Sequence, residues 1–110
     1  MMFDQIRDML DRKGKSGIAY AKVVTLAETA IKEDGDRAAG YLVLKVIAER
    51  FIESTGRLPL TVTQVENAFD NFVSHLSALE HAYLTQDPSL VSKALNNVSV
   101  ASLEPFDVSA

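Results

Sequence analysis

Between Val65 and Tyr83 the chain reads VENAFDNFVSHLSALEHAY. Its apolar residues step by four, three, four, three and four: Val65, Phe69, Phe72, Leu76, Leu79, Tyr83. That spacing is the signature of an α-helix with one apolar face. Extended back to Val62, the same residues occupy a and d heptad positions. A helix buried in a mixed core drifts off a strict seven-residue step, because 3.6 does not divide seven. The flanks differ from those of a coiled coil. One side carries Ala68, His75 and Ala82, the other Glu66, Val73 and Glu80. Small residues on one flank admit a second helix at close range, so the seam widens into the face of a bundle helix.

Working outward, four more segments read as helix. The first covers about Met2 to Lys13, with Phe3, Ile6, Met9 and Leu10 at helical spacing. Gly14 and Gly17 break the chain after it. The second runs from about Ile18 to Glu33, and Gly35 is suited to a left-handed position at its end. The third runs from about Asp36, a fair N-cap, to Ser54. Its interior is apolar around most of the circumference, with Lys45, Glu49 and Glu53 as one narrow polar stripe. Such a helix is buried on more than one side. Gly40 inside it costs roughly 1 kcal/mol against alanine, which a close crossing at that point would justify. The fourth helix starts between Thr61 and Thr63, where two overlapping capping boxes compete. It ends near Gln86. Asp87-Pro88 then opens a short fifth helix to about Asn96.

The fold expected is all-α, a bundle of four to five helices around the third. Residues 1–97 form one helical domain, and residues 98–110 a non-helical tail. Val98, Val100, Leu103, Phe106 and Val108 make that tail apolar enough to pack on the domain or on a neighbouring chain. With 110 residues and no cysteine, the chain is long enough for one core without staples, and disulfides, thiolate metal sites and cysteine nucleophiles are excluded. The opening MMFDQIRDML lacks the long apolar core of a secretory signal. No apolar run approaches the roughly 20 residues a bilayer crossing needs. A soluble, cytoplasmic protein is the expectation.

Charge is distributed unevenly. Met1 to Thr55 holds nine basic and nine acidic residues; from Gly56 onward only Arg57 and Lys93 are basic, against six acids. Between Leu58 and Ser92 there is no Lys or Arg. Phosphate attraction supplies most non-specific DNA affinity, so the acidic fourth helix is unsuited to DNA. The connector expected from Thr55 to Thr61 is also longer than a helix-turn-helix turn. The basic set Arg7, Arg12, Lys13 and Lys15 is interleaved with Asp8 and Asp11, which points to a solvated helix end; contact with nucleic acid through this helix is the alternative. Gly14-Lys15-Ser16 lacks the preceding glycine and strand of a phosphate loop, and reads as a turn between helices. His75 and His81, the only histidines, lie six apart with no Glu-x-x-His pair before either. No catalytic, cofactor-binding or metal-ligating set emerges.

Seven apolar seam residues are worth roughly 10–20 kcal/mol on burial, as an upper estimate. The third helix and the first also need cover, and a short monomeric bundle leaves one face over. The expectation is a homodimer or higher oligomer that works by protein-protein interaction as an adaptor or regulator, with Val65, Phe69, Phe72, Leu76, Leu79 and Tyr83 at the interface. A further alternative is a ligand-binding or catalytic dimer whose intersubunit pocket is lined by Tyr20, Tyr41 or Tyr83.

Overall fold

The fold is known from a computed structural model that describes residues 2–57 and 59–103. Five α-helices follow one another: α1 (Phe3–Lys13), α2 (Gly17–Glu33), α3 (Ala38–Arg57), α4 (Val62–Thr85) and α5 (Pro88–Ser102). A 3₁₀ turn, Gly35–Arg37, joins α2 to α3. No strand occurs among the described residues. The all-α bundle is as read from the sequence, and α3 lies against α2, α4 and α5 together. None of the described helices is long and apolar enough to cross a membrane.

Local chemistry sets most helix ends. Ser16 caps α2 by accepting the Ala19 amide at 3.3 Å, so Gly14-Lys15-Ser16 is a helix-helix turn. Of the two capping boxes, Thr61 forms the real one. The Gln64 amide donates to Thr61 Oγ1 at 3.1 Å, and the Thr61 amide to Gln64 Oε1 at 2.9 Å. This closes two orphan donors at once. Asp87 caps α5 through the Ser89 amide at 2.9 Å, with Pro88 at the first position. Gln86 closes α4 in the left-handed region at φ 58°.

Several sequence expectations are corrected. The left-handed glycine is Gly14, at φ 79°, where its amide donates to the Leu10 carbonyl at 3.0 Å; Gly35 has an ordinary φ. Asp36 sits inside the 3₁₀ turn, two residues before α3 begins, and not at the position directly preceding the helix. α3 runs on to Arg57, so only residues 58–61 separate it from α4. The long connector once held against a helix-turn-helix is therefore absent, while the acidity of α4 still argues against DNA. α5 runs on to Ser102, past the point where a non-helical tail was expected. The reason is tertiary. Val91, Ala94, Leu95, Val98 and Ala101 recur at helical spacing and turn inward, with Val98 only 2% exposed. Burial of that stripe outweighs the modest helix penalty of the β-branched residues. Arg50 on α3 reaches the Leu103 carbonyl at 3.5 Å and ties down the end. Glu104, Phe106 and Val108 lie outside the described residues.

The core is built where α1, α2, α3 and α4 meet. Ala19, Ala27 and Ala30 on α2 and Ala48 on α3 are fully buried; their small side chains bring the two helices close. Around them sit two aromatic groups. Tyr20 stacks on Phe51 at 4.0 Å and meets Phe72 edge-on at 5.7 Å. Phe3 lies 4.7 Å from Tyr41 and 5.8 Å from Tyr83. Gly40 stands at the second group. A Cβ there would come within 2.9 Å of Tyr83 Cε2 and 3.3 Å of Phe3 Cζ. The close approach expected at Gly40 is real, and side chains from α4 and α1 make it.

Candidate interaction surface

The seam on α4 divides along its length. Phe72, Leu76 and Leu79 are at most 1% exposed. They turn inward, where α1 and α3 lie against α4, so the chain covers the centre of the seam itself. Tyr83 is half-buried, with its ring against Phe3 and Gly40. Val65 and Phe69 are half-buried too, and Val62 is 74% exposed. Among the described residues, the seam is least covered over the first two turns of α4, at Val62, Val65 and Phe69.

Those turns belong to one end of the bundle. α1 finishes there and α2 begins; α3 finishes there and α4 begins. Two contacts fix the arrangement. The Lys15 ammonium lies 4.8 Å from the centroid of the Phe69 ring, a cation-π distance, and Gly17 lies beside Thr55. Ile18, one residue beyond Gly17, is 71% exposed. An apolar end of Ile18, Val62, Val65 and Phe69 results, with Lys15 laid over it.

The basic residues of α1 are largely engaged inside the molecule. Arg7 donates to Glu80 at 3.0 Å and to Ser77 at 3.1 Å, both on α4, and stands 3.8 Å from Asp4. Arg12 pairs with Asp8 at 3.1 Å. Such pairing removes two charges from the set that a nucleic-acid backbone would need. Glu80, read from the sequence as a flank of the seam, docks α1 on α4 together with Ser77.

The three tyrosines are packed into the bundle, Tyr83 only partly. Tyr20 and Tyr41 are at most 1% exposed. Tyr41 is the hub of a polar corner. Its hydroxyl donates to Asp34 Oδ2 at 2.6 Å and accepts the Met2 amide at 2.9 Å. Asp34 Oδ1 accepts from Arg37 at 2.9 Å. The Tyr41 hydrogen bond, with help from Arg37, holds the Asp34 carboxyl below the usual carboxylate range. Burial, and then the Asp34 bond, pushes the Tyr41 phenol up to about 12. Burial also raises Tyr83, against a backbone hydrogen bond from Gly40. Tyr20 is raised furthest, by burial alone, and its hydroxyl has no hydrogen-bond partner among the described residues. The corner joins the start of α1 to the α2–α3 turn, and its geometry is that of a structural tie.

A groove of about 350 Å³ opens between α4 and α5. Its floor is apolar: Ala78 and Ala82 from α4, Leu90, Ala94 and Val98 from α5. Its polar lining includes His75, His81 and Lys93. Of the small flank of the seam, His75 and Ala82 face the chain's own α5 across this groove. The two histidines, six apart in sequence, share this one groove. The sequence reading missed it because the fifth helix was stopped at Asn96, before Asn97 and Val98 complete the wall. The inward stripe from Val91 to Ala101 was the available signal. No group of three or more His, Asp or Glu side chains able to hold a metal forms among the described residues.

Compared with known proteins, the chain matches no family model, no curated protein and no solved structure.

Proposed function

We propose that this protein is a small helical interaction module that pairs with a second copy of itself and, so paired, binds a partner protein as an adaptor or regulator. One observation carries the reading: Ile18 and Val62 stand more than two-thirds exposed at the same end of the bundle as half-buried Val65 and Phe69. Single exposed aliphatics are ordinary, but a contiguous group marks a contact surface. The group is also self-complementary in kind, since apolar side chains from two copies meet across a two-fold axis, the commonest closed arrangement. On this reading the interface is the front of the seam, Val65 and Phe69 with Val62 and Ile18. Phe72, Leu76 and Leu79 support it from inside, and Tyr83 anchors the far end of α4.

The test is mass in solution by light scattering on a sizing column, over a wide range of concentration. The native chain is expected as a dimer or larger. The double variant Ile18→Asp with Val62→Asp alters two exposed positions and should give a folded monomer with unchanged helix content. A native monomer at every concentration, or an unchanged oligomer in the variant, overturns the reading.

A further inference from the structure

The α4–α5 groove has a charge character the rest of this region lacks. The protein is acidic overall, at −4, and residues 58–92 contain no Lys or Arg. Yet the first lysine after that gap, Lys93, lines the groove, and so do both histidines of the chain. No Asp or Glu stands among the described residues that line it. The basic side chains His75, His81 and Lys93, with the polar Ser74, Thr85 and Asn97, thus line a groove floored by Ala78, Ala82, Leu90, Ala94 and Val98. A lysine ammonium only donates hydrogen bonds, and an imidazole donates at least one in either charge state. The volume falls at the small end of the range for small-molecule sites. An apolar floor with a few convergent donors is the pattern by which such sites hold an amphipathic ligand and fix its polar end.

We propose that the groove binds a small amphipathic carboxylate, its aliphatic body on the alanine and valine floor and its carboxylate at the Lys93 and histidine rim. Charge complementarity selects the anion, and the apolar floor selects a ligand with a hydrocarbon body. The site lies within one chain and does not depend on self-association.

The test is heteronuclear NMR of the full chain titrated with hexanoate, acetate and hexylammonium. Hexanoate should give saturable shifts at the methyl groups of Ala78, Ala82, Ala94 and Val98. Acetate, with no body to lay on the floor, and hexylammonium, with the wrong charge, should both bind far more weakly. Lys93→Glu, at an exposed position, should weaken hexanoate at least about fivefold and leave the rest of the spectrum in place. Ala78→Phe, also at an exposed position, fills the groove and should abolish the shifts. The proposal is overturned by shifts that do not saturate or that fall outside the groove. It is equally overturned if hexylammonium binds as well as hexanoate, or if Lys93→Glu leaves hexanoate affinity unchanged.

Discussion

Replacing Tyr20 with phenylalanine should make this protein more stable. The phenol is 1% exposed and its oxygen has no hydrogen-bond partner among the described residues. Leaving a buried polar group unpaired costs about 1–3 kcal/mol. The ring itself is well used, stacked on Phe51 at 4.0 Å and edge-on to Phe72 at 5.7 Å, and phenylalanine keeps both contacts. The substitution therefore removes a penalty and almost no packing. We expect a gain of about 1 kcal/mol, the low end of that range, because the unfolded state also loses a solvated hydroxyl. In a chain of this length the melting temperature should rise by about 4 °C or more.

A second arm of the same experiment uses alkali. The folded chain holds the Tyr20 proton far above the ordinary phenol value, through burial, while the unfolded chain releases it near pH 10. The folded form thus binds more protons in this range. Its stability is complete below about pH 10 and is lost as pH rises toward the folded value. Tyr20→Phe deletes one share of that loss, beside those of Tyr41 and Tyr83, so the variant's advantage should widen between about pH 10 and pH 11. Urea titrations followed by circular dichroism at both pH values provide the measurement. A variant no more stable than the native chain at pH 7, with no widening in alkali, would mean that the hydroxyl is hydrogen-bonded in solution and the reasoning is wrong.

Three further expectations concern the packing. Asp34→Asn should destabilise the fold by about 1–2 kcal/mol at neutral pH, since it weakens the bonds to Tyr41 and Arg37. The folded Asp34 carboxyl is held low, so its contribution is present above the unfolded value near 3.9 and disappears as pH falls through the folded value; denaturation between neutral pH and about pH 2 should show a shallower acid limb for the variant. Gly40→Ala should lose about 1 kcal/mol net despite better helix propensity, because its Cβ meets Tyr83 at 2.9 Å. In a Tyr83→Ala background the same change should be closer to neutral, and additive losses in the double-mutant cycle would show that Tyr83 is not the obstacle. Val98→Ala should cost about 1–2 kcal/mol and Val100→Ala under about 0.5 kcal/mol, as their burial at 2% and exposure at 65% require. Equal losses in thermal melts would mean that α5 does not continue in this register past Asn96.

How much was legible in advance depended on range. Asp87-Pro88, and Thr61 and Thr63, act within one helical turn, so their residue types mark a helix start to within about two residues. The sequence reading missed the Ser16 cap, and the structure chose Thr61 with Gln64 over Thr63 with Glu66. The apolar steps of α1, α2 and α4 likewise follow from a period of 3.6. These features determined five helices, four of their starting points to within about two residues, and the presence of an apolar face on each. Gly40 was legible as a close approach, because a helix tolerates glycine in its interior only at a cost that something must offset.

Tertiary structure decided what each face meets. Periodicity states that Phe72, Leu76 and Leu79 need cover, and the same pattern serves a neighbouring helix or a second chain equally well. Other helices of the same chain supply that cover, with Tyr20 of α2 against Phe72, and among the described residues the front of the seam is the most open. The extent of α5 was decided the same way. Its last turns contain Val98 and Val100, which local propensity treats alike, yet one is buried and the other faces water. The bond from Tyr41 to Met2 joins residues 39 apart, and that from Arg7 to Glu80 joins residues 73 apart. No local signal encodes such partners. They are chosen by which helix faces can be buried together at least cost, a property of the whole chain that no single segment carries.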